Sequence, residues 1–228
     1  MIFNKNADRR NMVRGSLTLI PGNMFAGKSE FLIVDMIPRL QEHANKKVLV
    51  IKPEKDTRSG VGKIKTKPGK RMEERTMDAI EAPSDDMGRM LTMIQHEEEK
   101  IASRFDVLAF DEVQFFDEKG FYRLVKQLLR DGYDVIAAGL ERDFRNEPFG
   151  PMSYLKLLVD DQQSVINLDS RTYCRKCGKP NAHYPQRLVD GEPARYDSAQ
   201  VVVGGAEAYE PRCGVCHEVP GEPRILPN

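Results

Sequence analysis

The sequence lacks several features that would assign it to a membrane or to a charged polymer. No apolar run approaches the roughly 20 residues that a transmembrane helix needs, and the first ten residues, MIFNKNADRR, carry charge without the apolar core of a signal peptide. Net charge is also absent, because 35 Lys and Arg residues balance 35 Asp and Glu residues. These absences argue against broad electrostatic binding to nucleic acid or to an anionic membrane, and we expect a cytoplasmic protein.

Length and cysteine content limit the architecture further. The 228 residues suffice for one ordinary domain with its own core and a small appended module, but two full domains are not expected. Cysteine is scarce, with four residues. Because cytoplasmic thiols stay reduced, these four are better candidates for metal ligands than for disulfides.

The strongest motif is a phosphate-binding loop near the start of the chain. A short apolar strand at residues 16–21 leads into the sequence GNMFAGKS, which fits the pattern G-x-x-x-x-G-K-S. In such a loop the backbone N–H groups converge on phosphates, the lysine reaches the terminal phosphates, the serine hydroxyl ligates Mg²⁺, and the following helix offers its positive end. The motif predicts a nucleoside triphosphate site formed by Gly22, Asn23, Met24, Phe25, Ala26, Gly27, Lys28 and Ser29.

Strands alternate with helices after this loop, which predicts an α/β fold of the P-loop type, with a parallel sheet and helices on both of its faces. Further buried strands are predicted at residues 47–51, 107–110 and 135–138, and helices after the phosphate loop, within 87–104 and over 120–130. Pro38 must kink or end the first helix, since it lacks a backbone donor. Residues 52–75 are highly charged and predict a long exposed loop or a weak hairpin.

Changes in composition along the chain predict four segments. Residues 1–14 are polar and basic and predict a mobile tail, with an ordered arm on a neighbouring subunit as the alternative. Residues 15–168 hold the phosphate-loop domain. Beyond about Asp169 the chain turns to short Gly- and Pro-punctuated pieces framed by cysteine pairs, which predicts a small zinc-binding lobe over 169–217 and a tail over 218–228.

An acidic pair follows the predicted strand at residues 107–110. A carboxylate at the end of such a strand can orient the Mg²⁺ shell of a nucleotide, and Asp111 takes that place. A transferase also needs a base that accepts the proton of an attacking hydroxyl. Glu112 is therefore the candidate catalytic base. The alternative is a solvated pair without a role.

Two Cys-x-x-Cys pairs have the spacing of a tetrahedral zinc site. A closed shell of four thiolates leaves no position for substrate, so the metal is expected to be structural and to tie down the segment between the pairs. The alternative fourth ligand is His217, which adjoins the last cysteine. The other histidines have no catalytic neighbours in sequence and are interpreted as surface or core residues: His43, His96 and His183. The predicted ligands are Cys174, Cys177, Cys213 and Cys216.

Together the motifs resemble the thymidine kinases of the zinc-containing type found in bacteria and animal cytosol. The resemblance rests on GNMFAGKS, KPEKDTR, FDEVQFF, GLERDFRNEPFGPM, the cysteine pairs and VVVGGAEAYEPRC, and it covers roughly residues 15–217. It implies transfer of the γ-phosphoryl group of ATP, with Mg²⁺, to the 5′-hydroxyl of thymidine, giving thymidine monophosphate in nucleoside salvage. It further implies a homotetramer and feedback inhibition by thymidine triphosphate.

The same resemblance implies roles for individual residues. It places Asp56, Thr57 and Arg58 near the triphosphate, puts Asp111 and Gln114 in the Mg²⁺ and nucleotide neighbourhood, and makes Glu112 the catalytic base. Residues that match the thymine pocket, with core packing as their alternative, are Met24, Phe115, Leu140, Phe144 and Phe149. The segment between the cysteine pairs is implied to be a lasso that reads the base through its backbone, with the matching residues Gln200, Val201, Val202, Val203, Gly204 and Tyr209.

Three alternative functions differ in substrate or class. Pro185 stands where the family commonly has a threonine near the pyrimidine, which leaves deoxyuridine or another pyrimidine nucleoside as the alternative substrate. An ATPase with a zinc module for single-stranded nucleic acid would need basic residues interleaved with aromatics around the cysteines, and the segment between the pairs has few. A non-catalytic nucleotide-binding subunit should have lost Lys28, Asp111 or Glu112, and all three are present.

Overall fold

A five-stranded parallel sheet organises the chain in the computed structural model, which describes residues 14–57, 60–66, 74–159, 165–168, 172–200 and 209–223. Every neighbouring pair of strands in it is parallel, which confirms the predicted α/β fold. The carboxyl ends of parallel strands meet at one edge of a sheet, and that edge is the expected place for a ligand. The strands follow the order β1 (Leu17–Pro21), β7 (Asp134–Gly139), β6 (Val107–Phe110), β2 (Val48–Pro53) and β5 (Ile80–Ala82).

Helices cover both faces of the sheet, because successive side chains of a buried strand point to opposite sides. In β6, Leu108 and Phe110 pack in a cluster with the helices α3, α4 and α5. Val107 and Ala109 pack on the other face, against the helix that follows the phosphate loop. The helices are α1 (Lys28–Glu30), α2 (Ile37–Glu42), α3 (Met87–Lys100), α4 (Glu118–Arg130) and α5 (Met152–Leu155), with 3₁₀ turns at Val113–Phe115 and Lys156–Leu158.

The helix after the phosphate loop does not end at Pro38. Helix α1 continues through a π-helical turn, Phe31–Met36, into α2, and the backbone N–H of Ile37 donates to the carbonyl of Leu32, five residues earlier. Pro38 removes one backbone donor, and the wider turn lies immediately before it. A local change of helix type therefore accommodates the proline, and the helix ends at Glu42.

The charged stretch at residues 52–75 supplies the first strand of a hairpin and the turn that leads to its second strand, but it is not uniformly exposed. Strands β3 (Lys63–Lys65) and β4 (Thr76–Asp78) pair antiparallel. The prediction of an exposed loop is wrong for Lys52, Asp56 and Ile64, which are buried. Strand β5, which follows this stretch, was not predicted; it is short and only partly buried.

The amino-terminal strand is tied to β7 by a carboxylate. Asp134 Oδ1 accepts hydrogen bonds from Ser16 N at 2.8 Å and Ser16 Oγ at 2.7 Å, and its other oxygen pairs with the Lys46 ammonium. Burial by itself raises the pKa of Asp134, but the Lys46 and Ser16 donors outweigh it and hold that pKa below its usual range.

The carboxyl-terminal part forms a small antiparallel sheet of the strands β10 (Tyr209–Arg212), β8 (Tyr184–Val189) and β9 (Glu192–Pro193). Residues after the last cysteine also contact it: Gln186 of β8 exchanges two hydrogen bonds with the backbone of Glu218, at 2.8 and 2.9 Å. The predicted segment boundaries stay predictions. Within the described ranges, none of the helices combines the length and the apolar character needed to cross a membrane.

Candidate active site

The phosphate-binding loop joins β1 to α1 at the carboxyl edge of the parallel sheet. It turns through positive φ angles at Phe25 (72°) and Gly27 (80°), the second at the start of the helix; glycine adopts this conformation without steric cost. The Lys28 ammonium is buried inside the loop and donates to the carbonyls of Gly22 and Asn23, each at 3.0 Å. The Lys28 ammonium thus lies within the loop, as expected for the phosphate-binding lysine of this motif.

Ser29 and Asp111 come together from distant parts of the sequence. The Ser29 hydroxyl donates to Asp111 Oδ2 at 2.8 Å, because β1 and β6 end at the same edge of the sheet. Burial, with the neighbouring charge of Glu112, raises the pKa of Asp111 to about 7. A buried carboxylate beside a hydroxyl and a second carboxylate is a set of hard oxygen donors, which suits Mg²⁺ bound with a nucleotide.

Glu112 is held in an unusual backbone conformation. Its φ of 51° lies in the left-handed region, which costs energy for a residue with a Cβ and is found disproportionately at functional sites. Its side chain is half-buried, and Glu112 Oε2 accepts a hydrogen bond from Gln114 Nε2. The other end of the same amide, Gln114 Oε1, accepts from the backbone N–H of Leu140 at 3.0 Å. Gln114 thereby fixes the carboxylate relative to the end of β7.

Two glycines make room for Gln114. A Cβ at Gly139 would lie 2.7 Å from Gln114 Oε1 and from a methyl group of Val113. A Cβ at Gly150, whose φ is +66°, would lie 2.4 Å from the Gln114 Cα atom. Both contacts are too close for any side chain, so these glycines are required for the position of the residue that orients Glu112.

The loop that carries Asp56 and Thr57 is anchored by a buried cation. Lys52, at the end of β2, is fully buried, and its ammonium donates to the carbonyls of Asp56 at 3.0 Å and Gly60 at 2.6 Å. It also pairs with Glu81 of β5 at 3.1 Å. Arg58, the third residue predicted at this place, lies outside the described residues.

A small cavity lies between the phosphate loop, the end of β7 and the antiparallel sheet. The buried Asn23 connects the loop to the residues just before β8, because its Nδ2 donates to the carbonyl of Ala182 at 2.9 Å. The cavity is lined by Gly22, Asn23, Leu140, Glu141, Arg142, His183 and Pro185. The structure thus brings Leu140, predicted to contact thymine, close to the phosphate loop.

The other aromatic residues predicted for the base pocket differ in burial. Phe115 and Phe149 are half-buried and meet edge to face, with ring centroids 6.0 Å apart. Phe144 is buried, with the guanidinium groups of Arg145 and Arg187 against its ring at 4.8 and 5.4 Å. Met24 is half-buried in the phosphate loop, and Tyr209 opens β10. Gln200 donates to Asp143 Oδ2 at 3.0 Å, whereas the next four predicted residues lie outside the described ones: Val201, Val202, Val203 and Gly204.

The four cysteines converge as their spacing predicts. Each pair lies on a tight turn, and the four Sγ atoms are all within 4.8 Å of one another. His217 is not part of this cluster, because its Nε2 lies 2.8 Å from the carbonyl oxygen of Phe144. The alternative in which His217 replaces Cys216 is therefore not supported by the geometry.

The thiolate charges within the cysteine cluster favour a bound cation. Burial works against the thiolate of Cys174, but backbone N–H groups of Cys213, Cys177 and Lys176 outweigh it and lower its pKa to about 6. Burial, together with the neighbouring thiols, raises the pKa of Cys216 to about 12. Four thiolates at these distances repel one another unless a metal neutralises them, so the donor set and its spacing fit Zn²⁺.

The sequence model described as thymidine kinase matches residues 15–217 of the chain, which is most of its length. The chain belongs to the thymidine kinase family. This confirms the resemblance drawn from the motifs and makes the protein a thymidine kinase enzyme, for which the family implies a nucleoside and ATP as substrates.

Several residues at or beside this candidate site of the thymidine kinase were not singled out from the sequence. His183 was interpreted as a surface or core histidine, yet it is half-buried and lines the cavity beside the phosphate loop. Lys52 was assigned to an exposed stretch. Arg145 and Arg187 were not singled out at all, although both contact the buried ring of Phe144. No local pattern marks these four residues, since their burial and several of their partners follow from the packing of whole elements.

Proposed function

We propose that this thymidine kinase transfers the γ-phosphoryl group of ATP to the 5′-hydroxyl of thymidine, giving thymidine monophosphate. The observation that supports this most is the Ser29–Asp111 hydrogen bond of 2.8 Å, with Glu112 as the next residue and the Lys28 ammonium inside the adjoining loop. A metal-binding oxygen pair, a candidate base and a phosphate-binding cation thus occupy one edge of the sheet. These are the parts that phosphoryl transfer needs.

Each residue has a defined task in this reaction. Lys28 and the backbone N–H groups of the loop bind the phosphates, and Ser29 and Asp111 would hold Mg²⁺, which when bound neutralises charge on the phosphate oxygens. Glu112 accepts the proton of the 5′-hydroxyl while that oxygen bonds to the γ-phosphorus and the bond from phosphorus to the ADP oxygen breaks. Arg58 offsets charge that develops on the transferred group.

The cysteine cluster serves a structural purpose in this proposal. Cys174, Cys177, Cys213 and Cys216 would hold Zn²⁺ in a closed shell, which supplies no chemistry to the reaction but fixes the chain between the two pairs. That chain includes β8 and the cavity residues His183 and Pro185. We therefore expect the zinc to support nucleoside binding in particular.

The choice of nucleoside is open to a second candidate. Pro185 lines the cavity beside the phosphate loop, at the position where the family resemblance places a threonine near the pyrimidine. Proline cannot offer the pyrimidine the hydrogen bond that a threonine hydroxyl could. Thymidine and deoxyuridine differ only in the 5-methyl group of the base, so discrimination between them depends on apolar contacts with that methyl, which are worth only about 1–3 kcal/mol. A kinase that accepts deoxyuridine nearly as well as thymidine is the alternative.

ADP formation by the purified protein tests the reaction and the base together. The assay compares thymidine, deoxyuridine, deoxycytidine and no nucleoside, each with ATP and Mg²⁺. Glu112→Gln should lower thymidine-dependent turnover by about 10²–10⁴-fold while leaving ATP binding intact. Glu42→Gln, an exposed residue at the end of α2, is the matched control. Turnover that does not depend on a nucleoside would leave only a nucleotide-binding protein.

From the family resemblance we also propose a homotetramer and inhibition by thymidine triphosphate. Light scattering of the purified protein measures the first, and inhibition of ADP formation by added thymidine triphosphate measures the second. A monomer, or turnover that is insensitive to thymidine triphosphate, would reject the respective proposal. Residence in the cytoplasm stays a prediction.

A further inference from the structure

The segment 196–200 is held by side chains from the loop that follows β7. Arg145 donates from Nε to the carbonyl of Tyr196 at 2.7 Å and from Nη2 to the carbonyl of Ser198 at 2.5 Å. Its guanidinium also lies 5.3 Å from the centre of the Tyr196 ring. One planar cation thereby spans two backbone carbonyls of the same segment, which a guanidinium does in a fixed fork geometry.

A buried carboxylate fixes the orientation of that guanidinium. Asp143 Oδ2 accepts from Arg145 Nη1 at 3.4 Å and from Gln200 Nε2 at 3.0 Å. Asp143 Oδ1 accepts from the backbone N–H groups of Arg145 at 2.8 Å and Glu147 at 3.1 Å. The Asp143 side chain is 1% exposed and that of Arg145 16%. The contact between Asp143 and Arg145 is therefore shielded from water, and the exposed Gln200 is tied to the same carboxylate.

The same segment is held from a second side by Arg187 of β8. Arg187 donates from Nη1 to the carbonyl of Ala199, and its guanidinium lies 5.4 Å from the centre of the Phe144 ring, which Arg145 also contacts. Arg187 is buried, and its Nε has no hydrogen-bond partner among the described residues. Arg187 thus holds the segment through one nitrogen atom, whereas Arg145 holds it through two, Nε and Nη2.

We propose that Arg145 is a positioning residue for nucleoside binding. It holds residues 196–200 in the conformation that places Gln200 at the nucleoside site, and it restrains the ring of Phe144 in the same arrangement. The inference rests on the proposed function, together with the family resemblance that matches Gln200 and Phe144 to the nucleoside site. Arg145 contacts neither the phosphate loop nor Glu112 through any of its bonds described above, so its loss should affect the nucleoside and spare ATP.

Steady-state kinetics of Arg145→Ala, Arg145→Lys and Arg195→Ala test this. Arg195 belongs to the same part of the chain but is exposed, with a surface ion pair to Asp197, and its variant should match wild type. Arg145→Ala should raise the KM for thymidine about tenfold or more, because the segment loses one to two charge-assisted hydrogen bonds. The KM for ATP, kcat and the zinc content should stay within about twofold of wild type.

Arg145→Lys separates positioning from bulk packing. A lysine keeps the charge but not the planar fork of the guanidinium, so the KM of Arg145→Lys for thymidine should lie between those of wild type and Arg145→Ala. Full recovery by lysine, equal rises in the KM values for thymidine and ATP, or an unchanged thymidine KM in Arg145→Ala would each overturn the inference. If Arg145→Ala does not fold, Asp143→Asn, which keeps the shape of the partner, must show the same selective rise. A wild-type protein without thymidine-dependent turnover would instead refute the proposed function.

Discussion

Replacement of Lys52 by methionine removes a buried cation from the base of the nucleotide-binding loop. Methionine is close to lysine in length and keeps the apolar stem, but it lacks all of the lysine donors. The carbonyls of Asp56 and Gly60 then lose the bonds of 3.0 and 2.6 Å, and Glu81 loses its ion pair of 3.1 Å. Because Asp56 is buried, the loss of a donor to its carbonyl costs more than the bond itself contributes, whereas water can reach the exposed Gly60 and the partly exposed Glu81.

The expected loss of stability in Lys52→Met depends on how exposed the partners of Lys52 are. Removing one member of a fully buried ion pair costs about 3–5 kcal/mol. The Glu81 side chain is 29% exposed, so water replaces part of its lost contact. We therefore expect Lys52→Met to lower the free energy of unfolding by about 2–3 kcal/mol. Because Lys52 holds the loop that carries Asp56 and Thr57, the KM for ATP should rise more than the KM for thymidine.

Urea unfolding and steady-state kinetics measure the two parts of this prediction. Lys55→Met is the matched control, since Lys55 lies in the same loop and is exposed, and its unfolding free energy should change by less than about 0.5 kcal/mol. The reasoning is refuted if Lys52→Met and Lys55→Met lose the same stability. It is also refuted if the KM for ATP in Lys52→Met equals that of wild type.

Three further changes have defined outcomes. Asn23→Ala breaks the hydrogen bond to the carbonyl of Ala182, to which the Thr172 hydroxyl also donates. Because that oxygen keeps one donor, ATP binding should weaken by only about 0.5–1 kcal/mol, which is about a two- to fivefold rise in the KM for ATP. Cys174→Ser should abolish zinc binding, measured by atomic absorption, and raise the KM for thymidine more than that for ATP. Asp134→Asn should cost about 0.5–1 kcal/mol at pH 7. This difference in unfolding free energy should begin to shrink near the unfolded carboxyl pKa of about 4 and vanish as the pH falls through the lowered pKa of folded Asp134, because the contacts stabilise the fold only while the carboxylate is ionised.

Each of these has an outcome that would contradict it. An unchanged KM for ATP in Asn23→Ala would mean that the link to the antiparallel sheet does not support the phosphate loop. Equal rises in both KM values in Cys174→Ser would reject a zinc site that serves the nucleoside in particular. Asp131→Asn, at a partly exposed position that ends helix α4 just before β7, is the control for Asp134→Asn, and an equal effect of the two would show that the Asp134 contacts are not the cause.

Much of the fold was predictable from short stretches of the chain. Apolar runs ending in Pro21, Phe110 and Gly139 lie at the predicted strands of the central sheet, because a strand buried on both faces needs continuous apolar residues. The short, partly buried β5 lacks that pattern and was missed. Pro38 was expected to kink or end its helix, but a π-helical turn before it accommodates the missing backbone donor and the helix continues.

The sequence by itself determined the chemistry that depends on local spacing: the phosphate loop, the Asp111–Glu112 pair and the two cysteine pairs. Such motifs are readable because a turn or a strand end places neighbouring residues directly. Only the tertiary structure decided that Lys52 is buried against Glu81, and that Arg145 holds the segment beginning at Tyr196. Those partners lie 29 and 51 residues apart, and packing of whole elements brings them together. A charged residue has the same local pattern whether it is solvated or buried with a partner, so its role follows from the fold alone.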